Sequence, residues 1–462
     1  MLLVVLFLLF ASGLYAAQPN TMRVDYFHTG TSSTEYFSMD RVVIEPLPWP
    51  GNLNKSVDNT NLGKYFFEVI DRRTNQVIYS RGFASIYGEW ETTDEARKMH
   101  RTFHESFRFP EPKEEVQIVL KKRDENNAFQ EIWTFLVDPK DMFVDRAKSK
   151  SSSPLLELEK NGEPSTKVDF LILGDGYTAA QAAKFEKDAK RLIEILFAQS
   201  PFKEHRKDFN VWGLAPPSEE SGISRPSTGI YRRNPVGSTY DAFGSERYVL
   251  TFENRAFREI AAFAPYEHVE ILVNNQTYGG GGIFNLYSTV AADSLWSPYV
   301  FVHEFGHHFA GLADEYYTSD VAYLPSEERT EPWEANATAL LDPENLKWKD
   351  LVEPGTPIPT PWNKEAFEKY SAEIRERRRR IRSENKPEKE MDDLFQEQKK
   401  HESERLAAEK YARKVGAFEG AIYAAKGYYR PQVDCIMFTR NDVPFCAVCK
   451  RALEMVIQLY TQ

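Results

Sequence analysis

The run HEFGHHFAGLADEYY, residues 303 to 317, restricts the possible folds of this chain more than any other segment. In a helix, His303 and His307 lie one turn apart on one face, where both imidazoles can bind the same zinc ion. Glu304 then lies beside the metal without binding it, where a general base can take a proton from a metal-activated water molecule. The run therefore predicts a zinc-binding helix and a zinc-dependent hydrolase.

The residues after the second histidine predict a third metal ligand. Gly311 can end the helix, because a residue without a Cβ atom readily adopts a positive φ. The run resembles the metzincin-like zinc peptidases, in which such a glycine turn brings a His or Asp to the metal. Here the glycine-to-ligand distance is kept, but both positions lie one residue further along than usual. We predict Asp314 as the third ligand, with Glu315 as the alternative. His308 lies about 100° around the helix from His307, and we expect it to be packed or hydrogen-bonded.

A second resemblance involves more of the chain. GAFEGAIYAAKGYYRPQVDCIMF (residues 416 to 438), together with the histidine run and KWKDLVEPGTPIPTP, resembles the IgA-peptidase-like family of secreted zinc metallopeptidases. This resemblance implies one catalytic Zn²⁺, a protein or peptide substrate, and a methionine turn beneath the metal, a role that Met437 fits. A tyrosine could stabilise the oxyanion, and the candidates are Tyr316, Tyr317 and Tyr429.

Two other functional classes stay open. One is a zinc-dependent deacylase or amidase, and the other is a zinc-containing binding protein without catalytic activity. Glu304 argues against a pure binder, which needs no base beside its metal. YGGGGIFNLYSTVAA, ahead of the predicted helix, favours a peptide substrate if it forms an edge strand, because Gly279 to Gly282 would let another backbone approach and pair. The alternative for this stretch is a flexible surface loop.

The first residues, MLLVVLFLLFASGLYAAQ, predict a signal peptide over residues 1–17. An apolar run of about 11 residues is too short to span a bilayer, and cleavage near Ala16 or Ala17 fits the small side chains there. We therefore expect a secreted or periplasmic protein, with no membrane segment after signal removal. The 58 basic and 69 acidic residues, a formal net charge of -11, argue against nucleic acid as a partner.

The rest of the chain predicts an α+β or mixed fold: a metzincin-like α/β catalytic domain preceded by an antiparallel β-sandwich. Residues 18–145 alternate short β-rich runs with turns, which predicts a sandwich of six or more strands. A polar linker is expected over residues 146–166. In residues 167–462, KVDFLILGDGY, DFNVWGLAPP and HVEILVNN predict strands of a mixed or parallel sheet. Thr178 and Gln181 form a capping box that opens a helix to about Phe197.

Residues 363–415 are dense in Glu, Lys and Arg and are interrupted near Asn385 and Pro387. This composition predicts an insertion of two charged helices, exposed to solvent on most sides. A regulatory or partner-binding role is the alternative. A sparse apolar stripe is available for docking, and it consists of Phe367, Tyr370, Ile374, Leu394 and Leu406.

All three cysteines, Cys435, Cys446 and Cys449, lie near the C-terminus. Export would permit a disulfide from Cys435 to Cys446 or Cys449, which would pin the methionine turn to the last helix. One thiol must remain unpaired within the chain. No Cys or His ligand pair accompanies the CxxC, so a second zinc site is not expected.

Overall fold

A computed structural model describes residues 18–318 and 329–461. The predicted signal peptide, residues 1–17, lies outside the described residues. Residues 18–145 contain seven strands and one short helix, α1 (Ile86–Trp90). The strands are β1 (Asn20–Gly30), β2 (Glu35–Pro48), β3 (Tyr65–Asp71), β4 (Gln76–Phe83), β5 (Arg101–Pro110), β6 (Val116–Arg123) and β7 (Phe129–Val137).

These strands form two antiparallel sheets, with the orders β2-β1-β5 and β4-β3-β6-β7. Their inner faces share one apolar core, in which Phe107 stacks on Tyr26 at 4.5 Å and meets Phe67 of the other sheet at 4.8 Å. The antiparallel prediction is therefore confirmed. The sequence motifs had missed β5, because Glu105 takes the place of an apolar residue in the alternating series of Phe103, Phe107 and Phe109.

The described part of the C-terminal region contains a six-stranded mixed sheet. Its strands are β8 (Leu156–Glu159), β9 (Val168–Asp175), β10 (Phe209–Leu214), β13 (His268–Val273), β14 (Gly280–Ile283) and β15 (Tyr287–Ala291). They lie in the order β14-β15-β13-β9-β10-β8. The four inner strands are parallel, and the two edge strands are antiparallel to their neighbours. Strand β8 lies inside the segment 146–166 that we expected to be a linker. Only four residues alternate there, too few to distinguish a strand from a polar loop.

Helices cover this sheet and hold the histidine run. These helices are α2 (Ala182–Leu196), α3 (Asn254–Ala261), α4 (Ser297–Ala310) and α7 (Ala447–Tyr460). The capping box of Thr178 and Gln181 is present and leads through a short 3₁₀ turn into α2. Helix α4, which carries both histidines, packs against α2, α7, β14 and β15. Two short ladders complete this region: β11 (Ser238–Thr239) with β12 (Leu250–Thr251), and β16 (Phe418–Ala421) with β17 (Ala424–Arg430). Among the described helices, none has the length and apolarity needed to cross a membrane.

The charged segment forms the predicted pair of helices, α5 (Lys364–Ser383) and α6 (Glu388–Ala407), with Asn385 in a left-handed conformation at the break. We call this pair the hairpin. It is less solvated than expected, because one face is buried in the main core through Phe367, Ile374, Met391, Leu394, Phe395 and Leu406. Salt bridges of 3.2 and 2.9 Å join Arg378 and Arg382 to Glu246. The hairpin is thus docked onto the C-terminal region.

Candidate metal centre

The turn after α4 returns the chain towards the two histidines. Gly311 caps the helix in the left-handed conformation, with φ at 57°, and its N–H donates to the carbonyl of His307 at 2.9 Å. Asn336 then holds the backbone of Ala313 at both groups, with hydrogen bonds of 2.7 and 3.0 Å. Asp314, the next residue, is thereby placed against the helix face that carries the histidines.

Three side chains converge on one point. The Nε2 atoms of His303 and His307 are 3.1 Å apart, and Asp314 Oδ1 lies 3.1 and 3.2 Å from them. Each imidazole donates its Nδ1–H to a backbone carbonyl: His303 to Ile436 at 3.0 Å and His307 to Leu312 at 2.5 Å. Both Nε2 atoms therefore direct lone pairs at the same carboxylate oxygen. Lone pairs this close repel one another unless a proton or a metal ion lies between them.

The ionisation of these groups also indicates a site for a cation. Burial alone would lower the pKa of His307, but the Asp314 carboxylate raises it to about 9. Burial also opposes ionisation of Asp314, yet the two imidazoles hold its pKa well below the usual range. The cluster thus attracts positive charge. Two imidazole nitrogens and a carboxylate are a donor set that Zn²⁺ accepts, and tetrahedral coordination at about 2.0–2.1 Å would separate them by about 3.3 Å.

Glu304 lines a pocket beside this cluster. Burial raises the pKa of its carboxyl, and the two histidines oppose that shift. The residues that line the same pocket are His303, Arg247, Tyr278, Tyr299, Tyr316, Thr318, Phe438, Thr439 and Arg440 from the C-terminal region, and Phe367, Gln398 and Glu402 from the hairpin. The hairpin therefore forms one wall of the pocket. None of the described residues before Arg247 contributes to the lining.

The structure separates the three candidate tyrosines. Tyr316 lies in the pocket, and its hydroxyl accepts a hydrogen bond of 3.1 Å from Arg247. Tyr317 instead stacks on Phe438 at 6.4 Å. The backbone of Tyr429 pairs with Thr338 through hydrogen bonds of 2.8 and 3.1 Å, and its side chain is not among those that line the pocket. Only the first of the three is placed to contact a substrate bound beside Glu304.

Two contacts at the centre were not foreseen. The hydroxyl of Tyr423 donates to Asp314 Oδ2, and the hydroxyl of Tyr299 lies 3.2 Å from His303 Nδ1. Tyr299 precedes His303 by one helical turn, so the helical spacing could have revealed it. Tyr423 lies in the turn between strands β16 and β17, and no local sequence pattern predicts that this turn reaches the metal centre.

Strand β14 lies at the sheet edge beside α4, as the glycine-rich stretch suggested. A Cβ atom on Gly282 would lie 2.3 Å from the carbonyl oxygen of Glu304 and 2.9 Å from His307 Cβ, so this glycine permits close packing of strand and helix. The edge is only partly open. Gly280 already bonds outwards through both backbone groups, to Arg247 and Val249, at 3.1 Å each. The backbone N–H and C=O of Gly282 also point outwards from the sheet edge, and this residue is half-buried.

His308 is buried and fully hydrogen-bonded, away from the metal cluster. Its Nδ1–H donates to the carbonyl of Ile283 at 3.1 Å, and its Nε2 accepts from the N–H of Val269 at 3.1 Å. Burial lowers its pKa to about 3, so the ring is neutral at physiological pH. It joins α4 to two strands of the sheet.

Met437 lies beneath α4, where its sulfur would be 3.1 Å from a Cβ atom on Gly306. Its carbonyl accepts a hydrogen bond of 2.9 Å from the N–H of Glu315. The Glu315 carboxylate itself points away from the histidines and lies among the three cysteines. All three are buried free thiols, so the disulfide from Cys435 to Cys446 or Cys449 that export would permit is not formed in this structure.

Comparison with known protein families gives two matches. The model of IgA Peptidase M64 matches residues 156–457, and that of the Peptidase M64 N-terminus matches residues 15–134. The first match begins with β8 and spans α4, the hairpin and the methionine turn. No curated protein matches the chain.

Proposed function

The chain belongs to the IgA peptidase M64 family, and from this premise we propose that it is an exported, zinc-dependent endopeptidase. Membership of a metallopeptidase family indicates a hydrolase that acts on protein or peptide substrates with a metal ion. The choice of zinc, the role of each residue and the export are our proposals. The observation that carries them is the convergence of two imidazole lone pairs and a carboxylate oxygen beside Glu304.

His303, His307 and Asp314 would hold the zinc ion. Asp314 is favoured over Glu315 because its Oδ1 lies within 3.2 Å of both Nε2 atoms, whereas the Glu315 carboxylate accepts from Asn336 and contacts Cys449. The carbonyls that accept from the two Nδ1–H groups orient the rings, and Tyr423 orients the carboxylate. Three protein ligands leave a coordination position open, as catalytic zinc sites do.

Glu304 would act as the general base. A zinc ion at this centre would polarise the scissile carbonyl and make an attacking water molecule more acidic. The Glu304 carboxylate takes the proton of that water and then passes it to the leaving amine. Its burial in the pocket raises its pKa and so makes it a stronger base than an exposed glutamate.

Tyr316 would donate a hydrogen bond to the oxyanion that forms on the scissile carbonyl. Burial raises the pKa of its hydroxyl, so the proton is retained. The hydroxyl already accepts from Arg247 at 3.1 Å, which orients it and leaves its own proton free to donate. A donor placed in this way acts on charge that develops only in the transition state.

An extended peptide fits this pocket better than an isolated acyl group. Gly282 offers outward backbone groups at the edge beside the metal centre, with which the backbone of an extended substrate would pair. Because Gly280 is already paired with the segment of Arg247 and Val249, this pairing would extend over a short stretch of substrate. The hairpin wall closes another side of the pocket and would limit which chains can enter.

Replacing Glu304 by Gln tests the proposal. The variant should bind as much zinc as the wild type, while kcat on a complex protein mixture falls by about 10²–10⁴-fold because the proton acceptor is lost. Glu404→Gln, an exposed substitution on α6, is the matched control and should keep full activity. Mass spectrometry of the digest identifies the cleaved bonds. Full activity of Glu304→Gln, or activity that survives complete removal of zinc by a chelator, would contradict the mechanism.

Cleavage within chains supports an endopeptidase, whereas release of acetyl or other acyl groups without peptide cleavage would favour the deacylase alternative. Export is tested separately by the N-terminal sequence of the protein recovered outside the cytoplasm. Processing near Ala16 or Ala17 should leave a chain that begins close to Gln18. An intact N-terminus on a cytoplasmic product would contradict it.

A further inference from the structure

A second cluster of metal-binding side chains lies directly behind the first. Glu315, Cys435, Cys446 and Cys449 are all buried, and their ligand atoms lie within 4.8 Å of one another. Cys449 Sγ is 3.9 Å from Cys435 Sγ, 3.4 Å from Cys446 Sγ and 3.4 Å from Glu315 Oε1. We call these four residues the thiol cluster.

These separations suit a tetrahedral metal ion. Zinc–sulfur bonds of about 2.3 Å at tetrahedral angles place two sulfurs about 3.8 Å apart, and a sulfur and a carboxylate oxygen about 3.5 Å apart. Both sulfur distances are well beyond the bond of about 2.05 Å in a disulfide. The absence of a nearby ligand pair had argued against a second site. The structure supplies the missing ligands from Cys435 and from Glu315, more than a hundred residues earlier.

The Glu315 carboxylate gives independent support for a cation. Glu315 Oε1 accepts a hydrogen bond of 2.9 Å from Asn336, but Oε2 is buried and, among the described residues, has no hydrogen-bond partner. The nearby guanidinium of Arg430 donates instead to the carbonyls of Gly420 and Val433, at 2.8 and 3.1 Å. An unpaired carboxylate oxygen is costly to bury unless a metal ion or a proton neutralises it.

The backbone around the thiol cluster is arranged for sulfur anions. The N–H of Cys446 donates to Cys435 Sγ at 3.3 Å, and the N–H of Cys449 donates to Cys446 Sγ at 3.4 Å. Cys446 caps α7, so the partial positive charge of that helix end also faces the cluster. A third group of potential metal ligands consists of Asp25, Asp40 and His104. Its two carboxylates already form salt bridges with arginines, so they need no metal ion for neutralisation.

We propose that Cys435, Cys446, Cys449 and Glu315 bind a second, structural zinc ion. Soft thiolate ligands select zinc over magnesium or calcium, and four protein ligands leave no position open for substrate. This ion would join three segments: the turn that carries Asp314, the methionine turn of Met437, and the start of α7. It would therefore hold the third catalytic ligand and the floor of the catalytic centre in place.

The test uses the mature chain, purified with zinc and without chelators. The wild type should contain two zinc ions per chain. His303→Ala/His307→Ala leaves the thiol cluster intact and should retain one ion, with zinc–sulfur distances of about 2.3 Å in X-ray absorption. Cys446→Ser/Cys449→Ser should lose that ion and retain the other. Because the serine variant can fail to fold, the histidine variant decides the outcome.

Each result separates the two sites. One ion in the wild type and none in the histidine variant would overturn the second site and leave the catalytic proposal standing. One ion in both, bound through sulfur, would support the second site and contradict the catalytic one. Titration of a single free thiol in the unreduced, denatured wild type would overturn the proposal, because it would reveal a disulfide.

Discussion

Glu402 offers the most quantitative test of how the hairpin is docked. It projects from α6 into the wall of the pocket and is only 3% exposed. Burial raises the pKa of its carboxyl to about 7, although a hydrogen bond of 2.8 Å from Gln398 and the charge of Arg440 oppose this. The charge of Asp434 adds to the rise in this pKa. The folded protein therefore keeps a proton that the unfolded chain releases.

The direction and size of the effect follow from this difference. Below the ordinary value of 4.5 the carboxyl is protonated in both states, so the full stability is present there. As pH rises towards about 7, only the unfolded state releases the proton, and stability falls. At about 1.4 kcal/mol per pH unit, the whole loss amounts to about 3 kcal/mol, of which about 2.5 falls between roughly pH 5 and pH 8.

Glu402→Gln should remove this loss, because the amide resembles the protonated acid and does not titrate. We expect the free energy of unfolding in urea to fall between pH 5 and pH 8 by about 2.5 kcal/mol less in the variant than in the wild type. The other titrating groups contribute equally to the pH dependence of both proteins, so their contributions cancel in the difference. Glu404→Gln, two residues away and exposed, should follow the wild type within about 0.5 kcal/mol. Parallel curves for Glu402→Gln and the wild type would refute the reasoning.

Three further substitutions probe helix α4 and the pocket beside it. Gly282→Ala places a Cβ atom 2.3 Å from a carbonyl oxygen of α4 and should cost about 1–3 kcal/mol in urea unfolding, whereas Gly213→Ala, whose Cβ meets a side chain at 3.1 Å, should cost less. His308→Leu leaves the buried N–H of Val269 unpaired and should cost about 1–3 kcal/mol, with unchanged zinc content. The carbonyl of Ile283 adds little to this cost, because it keeps a hydrogen bond of 3.1 Å from the N–H of Leu286. Tyr316→Phe should lower kcat by about 10²-fold or more with little change in KM, whereas Tyr317→Phe should leave kcat unchanged. A Tyr316→Phe enzyme with normal kcat would exclude the oxyanion role.

The elements that the sequence predicted correctly are those whose signal is local. The helix of the histidine run, its glycine end, the capping box at Thr178 and the break at Asn385 each depend on residues within about one helical turn. The extra residue between His307 and Gly311 does not disturb this, because α4 simply extends to Ala310. The distance from the glycine to the aspartate, rather than the distance from the histidine, determines where the carboxylate arrives.

What the sequence could not predict depends on pairing between distant segments. The sequence of the hairpin contains an apolar stripe, but this stripe does not predict that Phe367 and Glu402 line the same pocket as Glu304. Tyr423 reaches Asp314 only because β16 and β17 form a ladder that turns towards α4. Contacts of this kind join residues that are far apart in the sequence, up to 109 positions for Asp314 and Tyr423, and the periodicity within either segment does not predict them.

The backbone conformation explains why both Asp314 and Glu315 are candidates for the third metal ligand in the sequence. The backbone here bonds alternately to two sides: the carbonyls of Asp314 and Tyr316 accept from the turn at 422–423, while the N–H of Glu315 donates to Met437. Neighbouring side chains of an extended segment point in opposite directions. One carboxylate therefore faces the histidines, and the other faces the thiols. The two residues that compete for one metal in the sequence are better explained as ligands of two ions, one on each side of a single stretch of backbone.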